Sequence, residues 1–281
     1  VSARILNGRE VAASLMEELR AEVAEMSVAP RLVFVRAGDD PASASYVRSK
    51  QRLAAKADVR AETRVLGPDT NQRALMAEVA SLNDDPDVDG ILVQLPVYDH
   101  LDAAPVLEAI DPAKDVDGFH PVNVGRLWSG RPTLVPATPS GLIRILDHYG
   151  YEIEGRDVLI VGRSNLVGKP AAALFLARHA TVTLAHSRTR DLAGWIRRAD
   201  MIVAAAGRPG MIRPDMVRAG AVLLDVGQSP VEGVLRGDVA PEVAEVAGAM
   251  TPTPGGTGPM TVAMVVANTV KAARARRGTG G

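Results

Sequence analysis

Lys50 follows Tyr46 by one helical turn in Asp40-Pro41-Ala42-Ser43-Ala44-Ser45-Tyr46-Val47-Arg48-Ser49-Lys50. On a helix those two side chains share a face. Gln94 interrupts the apolar run Gly90-Ile91-Leu92-Val93-Gln94-Leu95-Pro96. It stands at a strand's carboxyl end, where open α/β sheets place ligands. Asp117 lies in Lys114-Asp115-Val116-Asp117-Gly118-Phe119. An amine, an amide and a carboxylate are the parts of a proton-transfer site with an anchor. A lysine is a base only when neutral, a form that desolvation favours and that an uncharged Gln partner does not oppose. An aromatic ring one turn away offers a stacking surface to a planar substrate. A carboxylate accepts two hydrogen bonds from an amino-pyrimidine edge. Each residue also has an ordinary reading: a packed Tyr46 with a solvated Lys50, a strand-end Gln94 bonded to backbone, and a tight turn built on Asp115, Asp117 and Gly118. Their presence together favours the site.

A second cluster has the chemistry of a phosphate cradle. Gly162-Arg163-Ser164-Asn165-Leu166-Val167-Gly168 follows a strand pattern and precedes a helix, whose N-terminus favours anionic charge. The spacing is not GxGxxG, so the general dinucleotide fingerprint is weak here. Arg163 is a reasonable phosphate ligand. After the next strand comes His186-Ser187-Arg188-Thr189, where a dinucleotide's adenosine ribose is usually met. A hydroxyl at Ser187 and an Arg, with no acid at the strand tip, favour NADP over NAD. Gly207, after Ala204-Ala205-Ala206, allows close backbone approach or simply a turn. The Pro- and Gly-rich stretch 251–261 is either an interdomain linker or the rigid wall of a cleft, and its many constrained positions favour the wall.

The elements that must position these groups are legible in outline. Val11, Leu15, Leu19 and Val23 recur every four residues, predicting an amphipathic first helix. Residues 31–36 read as a strand. Pro41 opens the helix carrying Tyr46 and Lys50, another helix spans about 72–82, and 90–95 reads as a buried parallel strand. Thr138-Pro139-Ser140 signals a new helix start. Strands at 157–161, 181–185, 201–206 and 221–226 then alternate with helices at 169–179 and 191–198. A long last helix is expected from about Met260 to Arg277. The whole predicts a two-domain α/β protein: a substrate domain over 1–137 completed by the C-terminal helix 260–281, and a Rossmann-like doubly wound domain over 138–259.

Composition closes other avenues. The 281 residues are 47% hydrophobic, enough for two cores. With 32 basic and 33 acidic residues, nothing advertises nucleic acid or an anionic membrane. There is no Cys, which removes disulfides and thiolate chemistry. Five His without an HExxH-like pair give no metal expectation. No secretory signal or membrane-length apolar run is visible, so a cytoplasmic enzyme is expected.

In series, these motifs resemble the bifunctional methylenetetrahydrofolate dehydrogenase/methenyltetrahydrofolate cyclohydrolase family. The resemblance is carried by DPAS-x-x-YV-x-x-K at 40–50, GILVQLP at 90–96, KDVDGFHP-x-N-x-G-x-L at 114–127, P-x-TP-x-G at 136–141, GRSNLVGKP at 162–170, HSRT at 186–189, DVG at 225–227 and PGG-x-GPMT at 254–261. It implies an NADP-dependent oxidoreductase and hydrolase of one-carbon metabolism, feeding purine biosynthesis. The substrates would be tetrahydrofolate derivatives bound in a cleft between domains of a homodimer. By position, Lys50 matches the catalytic lysine, Gln94 its partner, Tyr46 the ring stacking on folate and Asp117 the pterin anchor. Leu95, Pro96, Gly258 and Pro259 match folate-side contacts; Gly162, Arg163, Ser164, Ser187, Gly207 and Gln228 match the cofactor side. Departures are Ala137 for a common Cys, Val97-Tyr98 at the cleft rim, Asp58 for Gly, Thr257 for Val, and Gln228 for Ile against the cofactor. None removes a catalytic group. Two rivals remain: another two-domain NADP-linked dehydrogenase of amino-acid or shikimate type, and a binding protein without turnover.

Overall fold

The computed structural model describes residues 2–278, with the side chains of Pro41, Ala42, Ser45 and Tyr46 outside that description. The chain opens with β1 (Arg4–Ile5) and α1 (Gly8–Ala24). Next come β2 (Arg31–Arg36), α2 (Pro41–Lys56), β3 (Arg60–Val65), α3 (Gln72–Asp84), β4 (Gly90–Val93), α4 (Ala103–Glu108) and α5 (Pro121–Trp128). Then follow α6 (Ala137–His148), β5 (Asp157–Val161), α7 (Gly168–Ala177), β6 (Thr181–Ala185), α8 (Leu192–Arg198), β7 (Met201–Ala204) and β8 (Val222–Asp225). The chain finishes with β9 (Ser229–Val231), β10 (Val234–Arg236), β11 (Ala249–Met250) and α9 (Thr257–Arg277). Two compact units result: Ala13–Ala137 with Val262–Gly281, and Val1–Ala12 with Thr138–Thr261.

The first unit is built on a three-stranded parallel sheet, ordered β3-β2-β4. Its central strand buries Leu32, Val33, Phe34 and Val35 completely, the continuous apolar pattern of a strand covered on both faces. On one face Val33, Val35, Ile91 and Val93 pack with Leu75, Val79 and Leu82 of α3 and Val106 of α4. On the other, a side chain at Gly90 would come within 2.6 Å of Val116 and 3.1 Å of Thr269 on α9, so the helix lies close because the strand begins with Gly. The α2 helix starts where the sequence places it: Asp40 accepts the Ser43 N–H at 2.7 Å, with Pro41 in the first turn.

Lys114, only 1% exposed, donates to the carbonyls of Leu82 (2.9 Å), Asn83 (2.7 Å) and Asp85 (2.7 Å). The Leu82 and Asn83 carbonyls belong to the last turn of α3, whose acceptors lack helical partners, and Asp85 O also takes the Val88 N–H at 3.2 Å, so an ammonium caps the helix end. The buried Asp89 carboxylate is met by Arg277 and by Arg276 at 3.2 Å, which fastens the end of α9 to the sheet.

The second unit carries a six-stranded parallel sheet, ordered β1-β11-β8-β7-β5-β6. Leu159, Val161, Ile202, Ala204 and Leu223 fill its core. The β9–β10 hairpin stands apart as a two-stranded ribbon, turning through Glu232 and Gly233 at φ 49° and 79°, the left-handed pair a two-residue hairpin requires.

Several boundaries differ from the sequence expectation, and three of them have a clear physical reason. The strand expected over 90–95 ends at Val93, because Pro96 has no N–H and restricts Leu95. Gln94 N–H still reaches Val35 O at 2.8 Å. The strand expected over 201–206 ends at Ala204, where the following amides turn to the Asp238 carboxylate. The last helix begins at Thr257 rather than Met260: the Thr257 hydroxyl donates to Asp225 O at 2.9 Å, and Pro259 sits in a first turn that tolerates it. Among the described residues no helix is long and apolar enough to cross a membrane, and no His, Cys, Asp and Glu cluster could hold a metal.

Candidate active site

Lys50 is 9% exposed, and its Nζ donates to Gln94 Oε1 at 3.1 Å. The other end of that amide donates from Nε2 to Leu95 O at 2.7 Å. Committing the nitrogen to a carbonyl leaves the oxygen for the amine. The same Leu95 carbonyl accepts from Ser43 Oγ at 3.0 Å. Ser43 thus ties the first turn of α2 to the strand end bearing Gln94. Sequence reading gave it no role, although it sits inside the DPAS motif. Tyr46 lies on α2 one turn before Lys50, and its side chain falls outside the described residues.

The two carboxylates of the 114–119 segment have different uses. Asp115 accepts from His120 N–H (2.8 Å), Asn123 Nδ2 (3.0 Å) and Gly118 N–H (3.2 Å), so the fold consumes it. Asp117 takes none of these bonds. Burial pushes its carboxyl up to about 6; the nearby Lys50 charge pulls the other way and Asp115 adds a little. Gly118 is fixed at φ 76°, and a side chain there would meet Pro136 N and Val135 C at 2.5 Å. From α9, Asn268 donates to the carbonyls of Val116 and Val135, both at 2.8 Å, holding the Asp117 loop from its other side.

In the second unit a cavity of about 350 Å³ opens at the carboxyl ends of β5, β6 and β7. Gly162, Arg163, Ser164 and Ser187 line it together with His186, Thr189 and Arg208. None of its lining residues is acidic. Gly162 is required: at φ 133°, a side chain would reach within 2.1 Å of Ala205 O. Gly168, opening α7, would likewise collide with Gly162 O at 2.1 Å, so the βα turn is closed tightly around backbone. Ser164 Oγ accepts the Val167 N–H at 3.1 Å. This glycine cradle at a helix start, cationic and free of acids, fits a phosphorylated dinucleotide. Gly207 sits in the loop between Ala206 and Arg208, which line the cavity. Gln228 does not line it; its side-chain amide instead occupies the space over Gly258. Gly258 and Pro259 belong to the first turn of α9.

Comparison with known proteins decides the family. The catalytic domain of tetrahydrofolate dehydrogenase/cyclohydrolase matches residues 6–117, and the NAD(P)-binding domain of the same enzymes matches residues 136–277. The chain belongs to the tetrahydrofolate dehydrogenase/cyclohydrolase family. A bifunctional protein FolD from Thermus thermophilus is 53% identical over 277 residues, covering 99% of this chain and 98% of the relative. The crystal structure of the bifunctional methylenetetrahydrofolate dehydrogenase/cyclohydrolase FolD from Campylobacter jejuni superposes with a TM-score of 0.95 at 40% identity, over 98% of this chain and 100% of that one. The Trypanosoma brucei enzyme, solved with NADP cofactor and inhibitor, gives a TM-score of 0.92 at 38% identity, covering 99% of each chain. The family read from the motifs therefore holds, as does the α/β fold with a Rossmann-like NAD(P)-binding domain.

Proposed function

We propose that this chain oxidises 5,10-methylenetetrahydrofolate to 5,10-methenyltetrahydrofolate with NADP⁺ and hydrolyses that product to 10-formyltetrahydrofolate. The observation that carries the reading is the Lys50–Gln94 hydrogen bond, with the carboxyl of Asp117 raised chiefly by burial and acted on by the Lys50 charge, in a chain that also bears this family's NAD(P)-binding domain. NADP⁺, when bound, supplies the hydride acceptor. Gly162, Arg163, Ser164 and Ser187 hold it, with Gly207 allowing close approach, and the protein's task in this step is orientation.

The hydrolytic step belongs to Lys50. Water adds to the one-carbon bridge of the methenyl cation and gives a proton to the Lys50 amine. The bond from that carbon to N5 then breaks as Lys50 returns the proton to N5. The carbinol oxygen loses its hydrogen and becomes the formyl group on N10, so one proton is released overall. Gln94 Oε1 can accept from the amine in either charge state, which keeps its lone pair aimed at the water. Tyr46 stacks on the folate ring, and the Asp117 carboxylate accepts from the amino-pyrimidine edge. Leu95 and Pro96, next to Gln94, complete the folate contacts of this unit. The catalytic domain is 1–137 with the last helix, and 138–259 is the cofactor domain, to whose sheet β1 is added.

The enzyme acts in the cytoplasm as a homodimer. Support for self-association comes from the β9–β10 hairpin, which exposes Val231 (38%), Val234 (53%) and Leu235 (36%) beside a groove of about 590 Å³ that Ile5 also lines. An exposed apolar ribbon of this kind is normally covered. Val234→Glu with Leu235→Asp is expected to yield a monomer in sedimentation velocity. A wild-type dimer unchanged by that pair would place the contact elsewhere, and a wild-type monomer would remove the homodimer.

The function is tested by a spectrophotometric assay with methylenetetrahydrofolate, comparing NADP⁺ with NAD⁺. NADP⁺-dependent formation of the methenyl product followed by its accelerated decay is expected. Formation without accelerated decay would leave a dehydrogenase alone. No formation with either cofactor would overturn the proposal.

A further inference from the structure

Arg208 lines the same cavity as Arg163 and Ser187, yet it arises from a different strand, in the loop after β7. The residue is exposed, and among the described residues none of the ion pairs found involves it. A lone exposed arginine is ordinarily a solvated one. What sets Arg208 apart is how firmly its backbone is held.

The Asp238 carboxylate, fully buried, accepts three successive amides: Ala206 N–H at 2.6 Å, Gly207 N–H at 2.9 Å and Arg208 N–H at 2.6 Å. Asp238 is itself fixed by its own N–H, which donates to Asp225 Oδ1 at 3.0 Å. Beyond Arg208 the loop stays tethered, with Gly210 N–H on Gly237 O (3.0 Å) and Ile212 N–H on Asp238 O (3.0 Å). A buried carboxylate spent on orienting a surface loop makes that loop part of a preorganised wall. Gly207, at φ 65°, supplies the turn that brings Arg208 to the cavity. With Arg163 it puts two arginines in the lining of a cavity without an acidic residue.

We propose that Arg208 is a specificity-determining residue, a second cation for the 2′-phosphate that distinguishes NADP from NAD, with Asp238 as its positioning residue. The inference rests on the reading of this cavity as the NADP site and deepens it. Two arginines from different strands bracket a dianionic phosphate better than one, because each supplies charge-assisted hydrogen bonds from a separate direction.

The test is calorimetric binding of 2′,5′-ADP and of 5′-ADP to the full chain, which needs no turnover. Wild-type protein should prefer 2′,5′-ADP. Arg208→Gln should weaken 2′,5′-ADP by about tenfold, the order expected for a lost charged hydrogen bond, and leave 5′-ADP unchanged; Arg208→Lys should recover part of the loss. Equal weakening of both nucleotides, or no change in either, would overturn the role of Arg208 while the NADP reading stood. A wild-type protein indifferent to the 2′-phosphate would instead bring down the NADP reading, and this inference with it.

Discussion

Lys50→Met is expected to abolish cyclohydrolase turnover while leaving NADP binding intact. Methionine keeps the length and apolar stem of the side chain but has no proton to give or take. Removing a positioned general acid–base typically costs about 10²- to 10⁴-fold. Methenyltetrahydrofolate should then decay at its buffer rate. The variant should remain folded, since Gln94 loses one partner but keeps its bond to Leu95 O. An acceptor left unpaired in a part-buried site costs about 1–3 kcal/mol. The cofactor cavity is formed by β5, β6 and β7, whose packing does not involve Lys50, so 2′,5′-ADP affinity serves as the control. Cyclohydrolase turnover retained in a folded variant would overturn the assignment of proton transfer to Lys50.

Asp117→Asn should stabilise the unliganded protein and weaken folate binding in the same pH range. The Asp117 carboxyl is raised from 3.8 to about 6, chiefly by burial. A group whose folded pKa lies above its unfolded one contributes its full stability below the unfolded value. That contribution is lost as pH rises through the folded value. Above pH 6 the buried charge therefore costs about 3 kcal/mol, at 1.36 kcal/mol per unit. Asparagine removes this cost, so the gain in thermal stability should be largest at pH 8 and vanish near pH 4. The charged form that burdens the fold is the form that binds. Folate KM should rise roughly 10- to 100-fold at pH 8 in the variant. In the wild type KM should rise as pH falls below 6, a dependence the variant should lack. A stability difference independent of pH, or an unchanged folate KM, would remove Asp117 as the anchor.

The parts of this molecule that could be read from sequence were those encoded locally. The fourfold spacing of Val11, Leu15, Leu19 and Val23, all buried, announces α1, and the Asp40–Pro41 pair marks the start of α2 to the residue. The short apolar strands β5 and β6 were legible for the same reason. The 60–65 segment, RAETRV, hides an edge strand because only the pairing with β2 makes it one. The two-residue strands β1 and β11 are likewise created by partners remote in sequence. At the site, residue types gave away Lys50 and Gln94, whose bond the structure contains. The supporting groups were illegible because their partners are backbone atoms. Ser43 is fixed by a carbonyl, Lys114 by three carbonyls and Asp238 by three amides, and a sequence does not record which backbone groups a fold will leave unpaired.

The pairing of β1 with β11 bears on how the chain is made. Ribosomes extend a polypeptide at about 5–20 residues per second, and Arg4 must wait for Ala249 before its strand has a neighbour. The buried Asp89 likewise waits for Arg276 and Arg277, and a buried carboxylate without its cation is strongly destabilising. Neither unit can therefore reach its finished form during elongation. The six-stranded sheet must stay open until β11 has been synthesised, and Asp89 stays unpaired until the end of α9 has, so a nascent chain stalled short of β11 presents both defects to the chaperones around it.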